Sequence, residues 1–241
     1  MKLLVSVVDA GEARAAAAAG AGIVDVKNPA EGSLGAPEPA VIAGVRAAVP
    51  AELPVSAAIG DMPDLPGTAA LAALGAARSG ATFVKVGLWG VSTEDDAVEL
   101  LRAVRDAVDG GAAVIAASYA DAERVPGRPL PPGHVVEAAR RAGVGGCLLD
   151  TAVKDGRGLF EWLSPEALAA LVGEGHAAGL EMALAGALQA EDLALVRATG
   201  ADIAGVRSAA CRDGRRSAPL DAGQIGRLRA MCHARDKFFS M

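Results

Sequence analysis

Three lysines stand where this chain could use a reactive amine. Of its 23 basic residues, the lysines are Lys2, Lys27, Lys85, Lys154 and Lys237. Lys27, Lys85 and Lys154 fall at or just past the ends of the apolar runs "GIVDVK", "TFVKVGL" and "GGCLLDTA". A lysine can lose its proton when it is partly buried beside other cations, whereas an arginine stays charged. A free amine attacks carbonyl groups, so this placement predicts Schiff-base chemistry.

Two aspartates accompany these lysines. Residues two apart on a strand share a face, so Asp25 lies on the face of Lys27. Asp150 ends its own run, four residues before Lys154. Alternate strands of a closed barrel contribute to one interior layer, so we predict that Lys27, Lys85, Asp25 and Asp150 cluster, with Lys154 leaning over Asp150. Alternatively, Lys27 and Lys85 are rim lysines whose stems cover apolar surface.

The elements that would position this cluster alternate along the whole chain. Eight short β-type runs are separated by alanine-rich helical stretches, without a linker or a change of composition: "KLLVSVV", "GIVDVK", "LPVSAAI", "TFVKVGL", "AAVIAAS", "GGCLLDTA", "LEMALAG" and "ADIAGVR". Eight strand-helix repeats in 241 residues predict an α/β fold, a single (β/α)8 TIM barrel spanning 1–241, rather than an open doubly wound sheet. Catalytic groups of such barrels gather at the C-terminal ends of the strands.

The helices are predicted at 9–19, 67–79, 93–108, 132–142, 164–178 and 189–198, with another near Ala40 in the long connection 28–50. Several begin at an Asp, Ser or Thr, the residues that cap helix N-termini. We interpret Asp61 and Asp64, after the third run, as caps of this kind. Tyr119 ends the fifth run, and we expect it to close the wall of the pocket.

The loops after the seventh and eighth strands predict a phosphate site, because phosphate groups recur there in these barrels. The candidates there are Gly186, Arg207 and Ser208, and the loop after the second run adds the amides of Gly32 and Ser33. A phosphorylated small molecule is therefore the expected substrate. Alternatively, the glycines serve tight turns and Arg207 pairs with a carboxylate.

Composition and missing motifs exclude other classes. The net charge of -6 and the pI near 5.1 disfavour nucleic acid as a partner. The apolar runs are short, and "MKLLVSVVDAGEA" turns acidic early, so we expect a cytoplasmic protein without a membrane segment. Glycine fingerprints for dinucleotides and nucleoside triphosphates are missing. We expect no cofactor and no metal, surface histidines at His134, His176 and His233, and reduced buried thiols at Cys147, Cys211 and Cys232.

The stretches "VDVKNPAEGSLGA", "SAAIGDMPDLPGT", "FVKVGLWG", "LLDTAVKDG" and "GVRSAAC" resemble the (5-formylfuran-3-yl)methyl phosphate synthase family over essentially the whole chain. The resemblance implies a cofactor-independent Schiff-base lyase that joins two glyceraldehyde 3-phosphates, with loss of phosphate and water, in methanofuran biosynthesis. It implies Lys27 as the imine lysine and Lys85 as the general acid/base. Asp25, Asp150 and Lys154 stand at matching positions, whereas Ser208 replaces an expected glycine.

Two alternatives stay open beside this resemblance. One is another class I aldolase or isomerase that acts on a sugar phosphate without closing a ring. The other is a non-catalytic barrel that senses phosphate, in which the lysines only cradle an anion. The apolar "VGLWG" after Lys85 favours Lys85 as the group that moves protons. We also expect a homo-oligomer.

Overall fold

Eight parallel strands close into a barrel in the computed structural model, which describes residues 1–234. The strands are β1 (Lys2–Val7), β2 (Ile23–Val26), β3 (Val55–Asp61), β4 (Phe83–Gly87), β5 (Ala113–Tyr119), β6 (Gly146–Asp150), β7 (Glu181–Leu184) and β8 (Ile203–Val206). Each strand pairs with its neighbours in chain order, and β8 pairs with β1. The predicted (β/α)8 barrel is therefore confirmed, while Lys237 lies outside the described residues.

The helices surround the barrel as α1 (Ala10–Ala18), α2 (Pro39–Ala48), α3 (Pro66–Arg78), α4 (Glu94–Val108), α5 (Val135–Ala142), α6 (Pro165–Ala177), α7 (Leu193–Ala198) and α8 (Ala222–His233). Side-chain oxygens of Asp9, Thr93, Ser164 and Asp221 accept N-terminal amides of α1, α4, α6 and α8. These caps satisfy backbone N–H groups that have no partner inside the helix. The first three caps stand where the sequence predicts helix starts.

The cap of α3 and the starts of α5 and α7 differ from the sequence prediction. Helix α5 begins at Val135 rather than at 132, because Pro132–His134 form a 3-10 helix. Helix α3 begins at Pro66 after Leu65, and no side chain caps it, so the interpretation of Asp61 and Asp64 as caps is wrong. Helix α7 begins four residues after the predicted position 189. Residues before it form a turn in which the Gln189 amide donates to the Asp192 carboxylate at 2.8 Å.

Strand parity sorts apolar residues into two layers. Val24 and Val26 on β2 pack outward into the layer between sheet and helices. Ile23, on the opposite face, joins an inner layer that fills the barrel, together with Ile115 and Leu148. Asp25 shares the inward face of Ile23, because side chains alternate along a strand. The charged cluster thus lies inside the barrel, above an apolar floor.

The remaining composition-based expectations concern cysteines, histidines and membrane segments. Cys147, Cys211 and Cys232 are free and buried, as predicted, and burial raises the pKa of Cys147 to about 12. All three histidines are exposed; His134 contacts Glu94 and His176 contacts Asp202. None of the helices within residues 1–234 has the length and apolarity needed to cross a bilayer.

Candidate active site

A cavity of about 290 Å³ opens at the C-terminal ends of the strands. This volume is near the lower end of the range of small-molecule sites. Apolar side chains of the inner layer form its floor, including Ile23, Phe83 and Ile115. Above them, the wall carries all five predicted catalytic residues: Asp25, Lys27, Lys85, Asp150 and Lys154. The structure therefore brings the predicted cluster together in one cavity.

Lys85 and Asp25 form a buried ion pair. Lys85 Nζ lies 2.6 Å from Asp25 Oδ1, and the two side chains are 5% and 1% exposed. The Ser6 hydroxyl donates to the other carboxylate oxygen, Oδ2, at 3.0 Å. Strand β3 separates β2 from β4 and carries only the small Ser56 opposite Asp25. The prediction of an apolar environment for Lys85 is wrong, because its amine contacts the carboxylate of Asp25, two strands away.

Asp150 and Lys154 form the second pair. Lys154 Nζ lies 2.9 Å from Asp150 Oδ1 and also donates to the carbonyl and hydroxyl oxygens of Thr151. Burial by itself would raise the pKa of Asp150. The charges of Lys154 and Lys27 and the hydrogen bonds from Lys154 and the Thr151 amide outweigh burial and lower this pKa. Asp150 is therefore a stable carboxylate that Lys154 covers, as the spacing predicts.

Lys27 is the lysine of this cluster without a close carboxylate. Within residues 1–234 its amine makes no ion pair and no hydrogen bond, although the residue is only 8% exposed. Burial lowers its pKa from 10.5 to about 8; Asp150 and Asp25 oppose this effect, and Lys85 and Lys154 add to it. About one amine in ten is then neutral at pH 7, against fewer than about one in a thousand for an ordinary lysine. Lys27 therefore combines a lowered pKa with an amine that no carboxylate of residues 1–234 holds, whereas Lys85 and Lys154 are both paired.

The backbone around Lys27 is fixed just beyond β2. The Lys27 amide donates to the Val7 carbonyl at 3.2 Å, and the Asn28 amide donates to the Gly35 carbonyl at 2.9 Å. A Cβ at position 35 would lie 2.1 Å from the Asn28 carbonyl oxygen, so only glycine fits this approach. Lys27 thus stands on the barrel framework rather than on a free loop.

Gly32 and Ser33 are not among the residues that line the cavity, so their contact with phosphate stays a prediction. The Ser33 amide donates to Asp61 Oδ2 at 3.0 Å, and its hydroxyl donates to the Thr151 carbonyl at 2.8 Å. Gly32 has a φ of +133°, and a Cβ there would lie 2.2 Å from the Asp61 carboxylate. Ser33 thus ties the loop after β2 to the end of β3 and to the loop after β6.

Tyr119 extends this connection to β5. Its hydroxyl donates to Asp61 Oδ1, and its ring packs edge to face against Trp89 with 5.6 Å between centroids. Burial and the neighbouring Asp61 carboxylate raise the pKa of Tyr119 well above 10. Tyr119 lies behind the cavity wall rather than on it, so the expectation that it closes the pocket is wrong.

The predicted phosphate seat is present only in part. Gly186, Arg207 and Ser208 all line the cavity. The guanidinium of Arg207 is engaged elsewhere, however: it pairs with both carboxylate oxygens of Glu12 and donates to the Ser6 carbonyl at 3.0 Å. Arg207 has the carboxylate partner that the alternative interpretation describes, so its contact with phosphate stays a prediction.

Sequence reasoning missed four polar or charged residues of the cavity: Ser6, Ser56, Glu181 and Arg216. The Ser56 hydroxyl is buried without a hydrogen-bond partner in the described part of the chain. Strand parity could have identified Ser6 and Ser56, because they stand opposite the inward-facing Asp25 in the ladders. Arg216 lies in a loop without periodicity and carries no such signal. Nowhere in residues 1–234 do three His, Cys, Asp or Glu side chains gather as a metal site requires.

The chain resembles known proteins along nearly its full length. The sequence profile described as "4-HFC-P synthase" matches residues 3–229. The chain belongs to this 4-HFC-P synthase family. The (5-formylfuran-3-yl)methyl phosphate synthase of Methanocaldococcus jannaschii is 48% identical over 237 residues, covering 96% of this chain and 100% of the relative. That of Methanopyrus kandleri is 49% identical over 219 residues, covering 90% and 92%.

Solved structures confirm the fold of this 4-HFC-P synthase family member. A 3-hexulose-6-phosphate synthase from Salmonella typhimurium has a TM-score of 0.66 at 17% identity and covers 96% of this chain and 98% of its own. KGPDC from Streptococcus mutans has a TM-score of 0.65 at 14% identity, covering 96% of both chains. At these identities the likeness concerns the barrel alone. The synthase names of the sequence relatives support an enzyme with a synthase role.

Proposed function

We propose that this chain is a Schiff-base lyase that joins two glyceraldehyde 3-phosphates into (5-formylfuran-3-yl)methyl phosphate. One phosphate and two waters leave, which balances the atoms of the six-carbon product. The product is a furan precursor of methanofuran or of an analogue. The observation that carries this proposal is the placement of Lys27 between two lysine-carboxylate pairs. Its amine is buried and makes no ion pair within residues 1–234.

The first step is attack of the neutral Lys27 amine on a triose phosphate carbonyl. The carbonyl oxygen leaves as water, and the resulting iminium withdraws electrons from the neighbouring C–H bond. A proton is then removed from that carbon, and the enamine expels phosphate by cleavage of the C–O bond at the next carbon. The terminal carbon of the resulting enol bonds to the central carbonyl carbon of the second triose phosphate, after proton transfer has converted its aldehyde into the ketone. Dehydration and closure of the ring by the terminal hydroxyl release two waters, and hydrolysis of the iminium takes up the water released at its formation and frees Lys27.

Lys85 and Asp25 are positioned to move the protons. Both groups line the cavity, and the 2.6 Å between Lys85 Nζ and Asp25 Oδ1 keeps a negative charge beside the amine that exchanges protons with the substrate. Ser6 holds the second oxygen of Asp25 and so orients the carboxylate. Asp150, with Lys154 over it, supplies a fixed negative charge that stabilises the iminium. No step of this mechanism is assigned to a metal or to an organic cofactor.

Reduction with borohydride tests the covalent step, because it converts an imine into a stable secondary amine. The protein is incubated with glyceraldehyde 3-phosphate and borohydride, and the adduct is located by mass spectrometry of its peptides. We expect the adduct on Lys27, and none in Lys27→Arg, which keeps the charge but cannot form the imine. Lys2→Arg, on the exposed surface, is the matched control and should trap as the unmodified protein does.

A second variant separates imine formation from later steps. Lys85→Ala should still give the Lys27 adduct but should stop before the furan aldehyde, which is followed by its ultraviolet absorption. If Lys85→Ala traps nothing and Lys27→Ala traps normally, the roles of the two lysines are reversed. An adduct without any furan product would support the aldolase or isomerase alternative. If no adduct forms with any variant or with the unmodified protein, the non-catalytic phosphate-sensing barrel is the alternative that remains.

A further inference from the structure

Arg216 brings an uncompensated positive charge to the mouth of the cavity. It lies between β8 and α8 and lines the cavity together with Gly186 and Ser208. Within residues 1–234, its guanidinium makes no hydrogen bond or ion pair, and its Nη2 atom is buried without a partner. The neighbouring Arg207, by contrast, is fully engaged with Glu12.

A guanidinium that lines a cavity and has no partner among residues 1–234 is suited to bind an anion. The group stays charged at every physiological pH, and a buried N–H without an acceptor is unfavourable. Its planar fork of donors matches two oxygens of a phosphate group, which gives short and strong charge-assisted hydrogen bonds. A phosphate monoester in the cavity would therefore supply the acceptors that the protein does not.

The backbone of Arg216 is held in place by Arg207. Arg207 Nε donates to the Arg216 carbonyl at 3.1 Å, while its other nitrogens bind Glu12 on α1 and the Ser6 carbonyl on β1. The loop is thereby fastened to the first strand-helix unit. This arrangement explains why Arg207 lines the cavity yet has its guanidinium engaged by protein groups: it positions the residue that binds.

Few acceptor groups of the described residues compete with an anion for the Arg216 guanidinium. A second recess beside the cavity includes Asp9, Glu12 and Arg216 in its wall. Both carboxylates already have donors, since Asp9 accepts the Glu12 amide at 2.8 Å and Glu12 pairs with Arg207. On the cavity side, the amides of Gly186 and Ser208 donate to no other group in residues 1–234, so they are available to an anion.

We infer that Arg216, with the amides of Gly186 and Ser208, binds the phosphate group of the substrate. The identity of that substrate rests on the proposed function, whereas binding of a phosphate group can be measured without turnover. Titration calorimetry with inorganic phosphate on the complete chain is therefore the first measurement. The Michaelis constant for glyceraldehyde 3-phosphate is the second.

The informative variant is Arg216→Met, which keeps the length of the stem and removes the charged fork. We expect phosphate to bind about ten- to hundredfold more weakly, with a similar rise in KM and little change in kcat. Arg215→Met is the matched control, because the Arg215 side chain is 72% exposed and its ion pair within residues 1–234 is a loose one, with Asp213 at 3.7 Å. It should alter phosphate binding less than about twofold.

Arg216→Lys keeps a positive charge without the planar set of donors, so its affinity for phosphate should lie between those of the unmodified protein and Arg216→Met. Circular dichroism verifies that each variant is folded. The inference is overturned if Arg216→Met or Arg216→Lys, once folded, binds phosphate like the unmodified protein. It is also overturned if Arg215→Met loses as much phosphate affinity as Arg216→Met does, or if the unmodified protein does not bind phosphate. Phosphate binding that depends on Arg216, in a protein that makes no furan, would support the inference and contradict the proposed function.

Discussion

Replacing Lys27 by methionine should stabilise the barrel at neutral pH while it removes the proposed nucleophile. Methionine is unbranched and apolar, so it suits the buried path of the lysine stem. In the folded protein the pKa of Lys27 is about 8 instead of 10.5, which means that the ammonium form is less favourable inside than in the unfolded chain. The difference corresponds to about 3 kcal/mol, since a shift of one in pKa is worth about 1.4 kcal/mol.

Because the folded state lowers the pKa of Lys27, the stabilisation by Lys27→Met should decrease as the pH rises. Below about pH 8, Lys27 is charged in both states, and the folded state carries the full penalty. As the pH rises from about 8 toward 10.5, the folded protein has released its proton and the unfolded chain has not, so the penalty fades. The stabilisation by Lys27→Met should therefore be about 3 kcal/mol at pH 7 and roughly half of that at pH 9.5.

Urea unfolding at the two pH values measures both numbers, with free energies extrapolated linearly to water. Lys2→Met is the control, because Lys2 is exposed and pairs with Glu181 at the surface. It should leave the free energy of unfolding nearly unchanged. A Lys27→Met protein that is no more stable than the unmodified one at pH 7, or whose gain is the same at both pH values, would refute the reasoning.

Three further outcomes are expected. Borohydride trapping at Lys27 should speed up about tenfold per pH unit below pH 8 and level off above it, because the neutral amine is the attacking form; a flat profile from pH 6 to 8 would contradict this. Tyr119→Phe should lower the free energy of unfolding in urea by about 1–3 kcal/mol, because Asp61 loses a buried donor; a loss below about 0.5 kcal/mol would contradict it. Furan formation should survive exhaustive EDTA treatment, and loss that zinc or magnesium restores would overturn the mechanism without metal.

The barrel and the membership of its charged cluster could be predicted from sequence because both follow from local patterns. Alternation along each strand sends Asp25, Lys85 and Asp150 inward, and the order of the strands brings them to one mouth. These inferences need only the period of two and the rule that strand ends converge. The helix caps at Thr93 and Ser164 are equally local.

The partners of these residues could not be predicted, because they depend on contacts between distant parts of the chain. Asp25 shares a face with Lys27 but pairs with Lys85, since β4 directs that amine across β3. Asp61 looks like a helix cap beside Pro66, yet it accepts donors from Ser33 and Tyr119, 28 and 58 residues away. Both sets of contacts depend on how far side chains extend across the closed barrel. The spacing of residues in the sequence carries no information about these distances.

The hydrogen bonds from Tyr119 through Asp61 and Ser33 to Thr151 also decide in which direction a longer ligand could extend. They tie the loops after β2 and β6 to the ends of β3 and β5 on one side of the barrel mouth. The cavity wall above the strands comes mostly from the loops after β6, β7 and β8, including Gly156, Leu188 and Gly214. Changes of substrate size are therefore best sought in these three loops, where bulk can be added or removed without loosening the framework that carries Lys27.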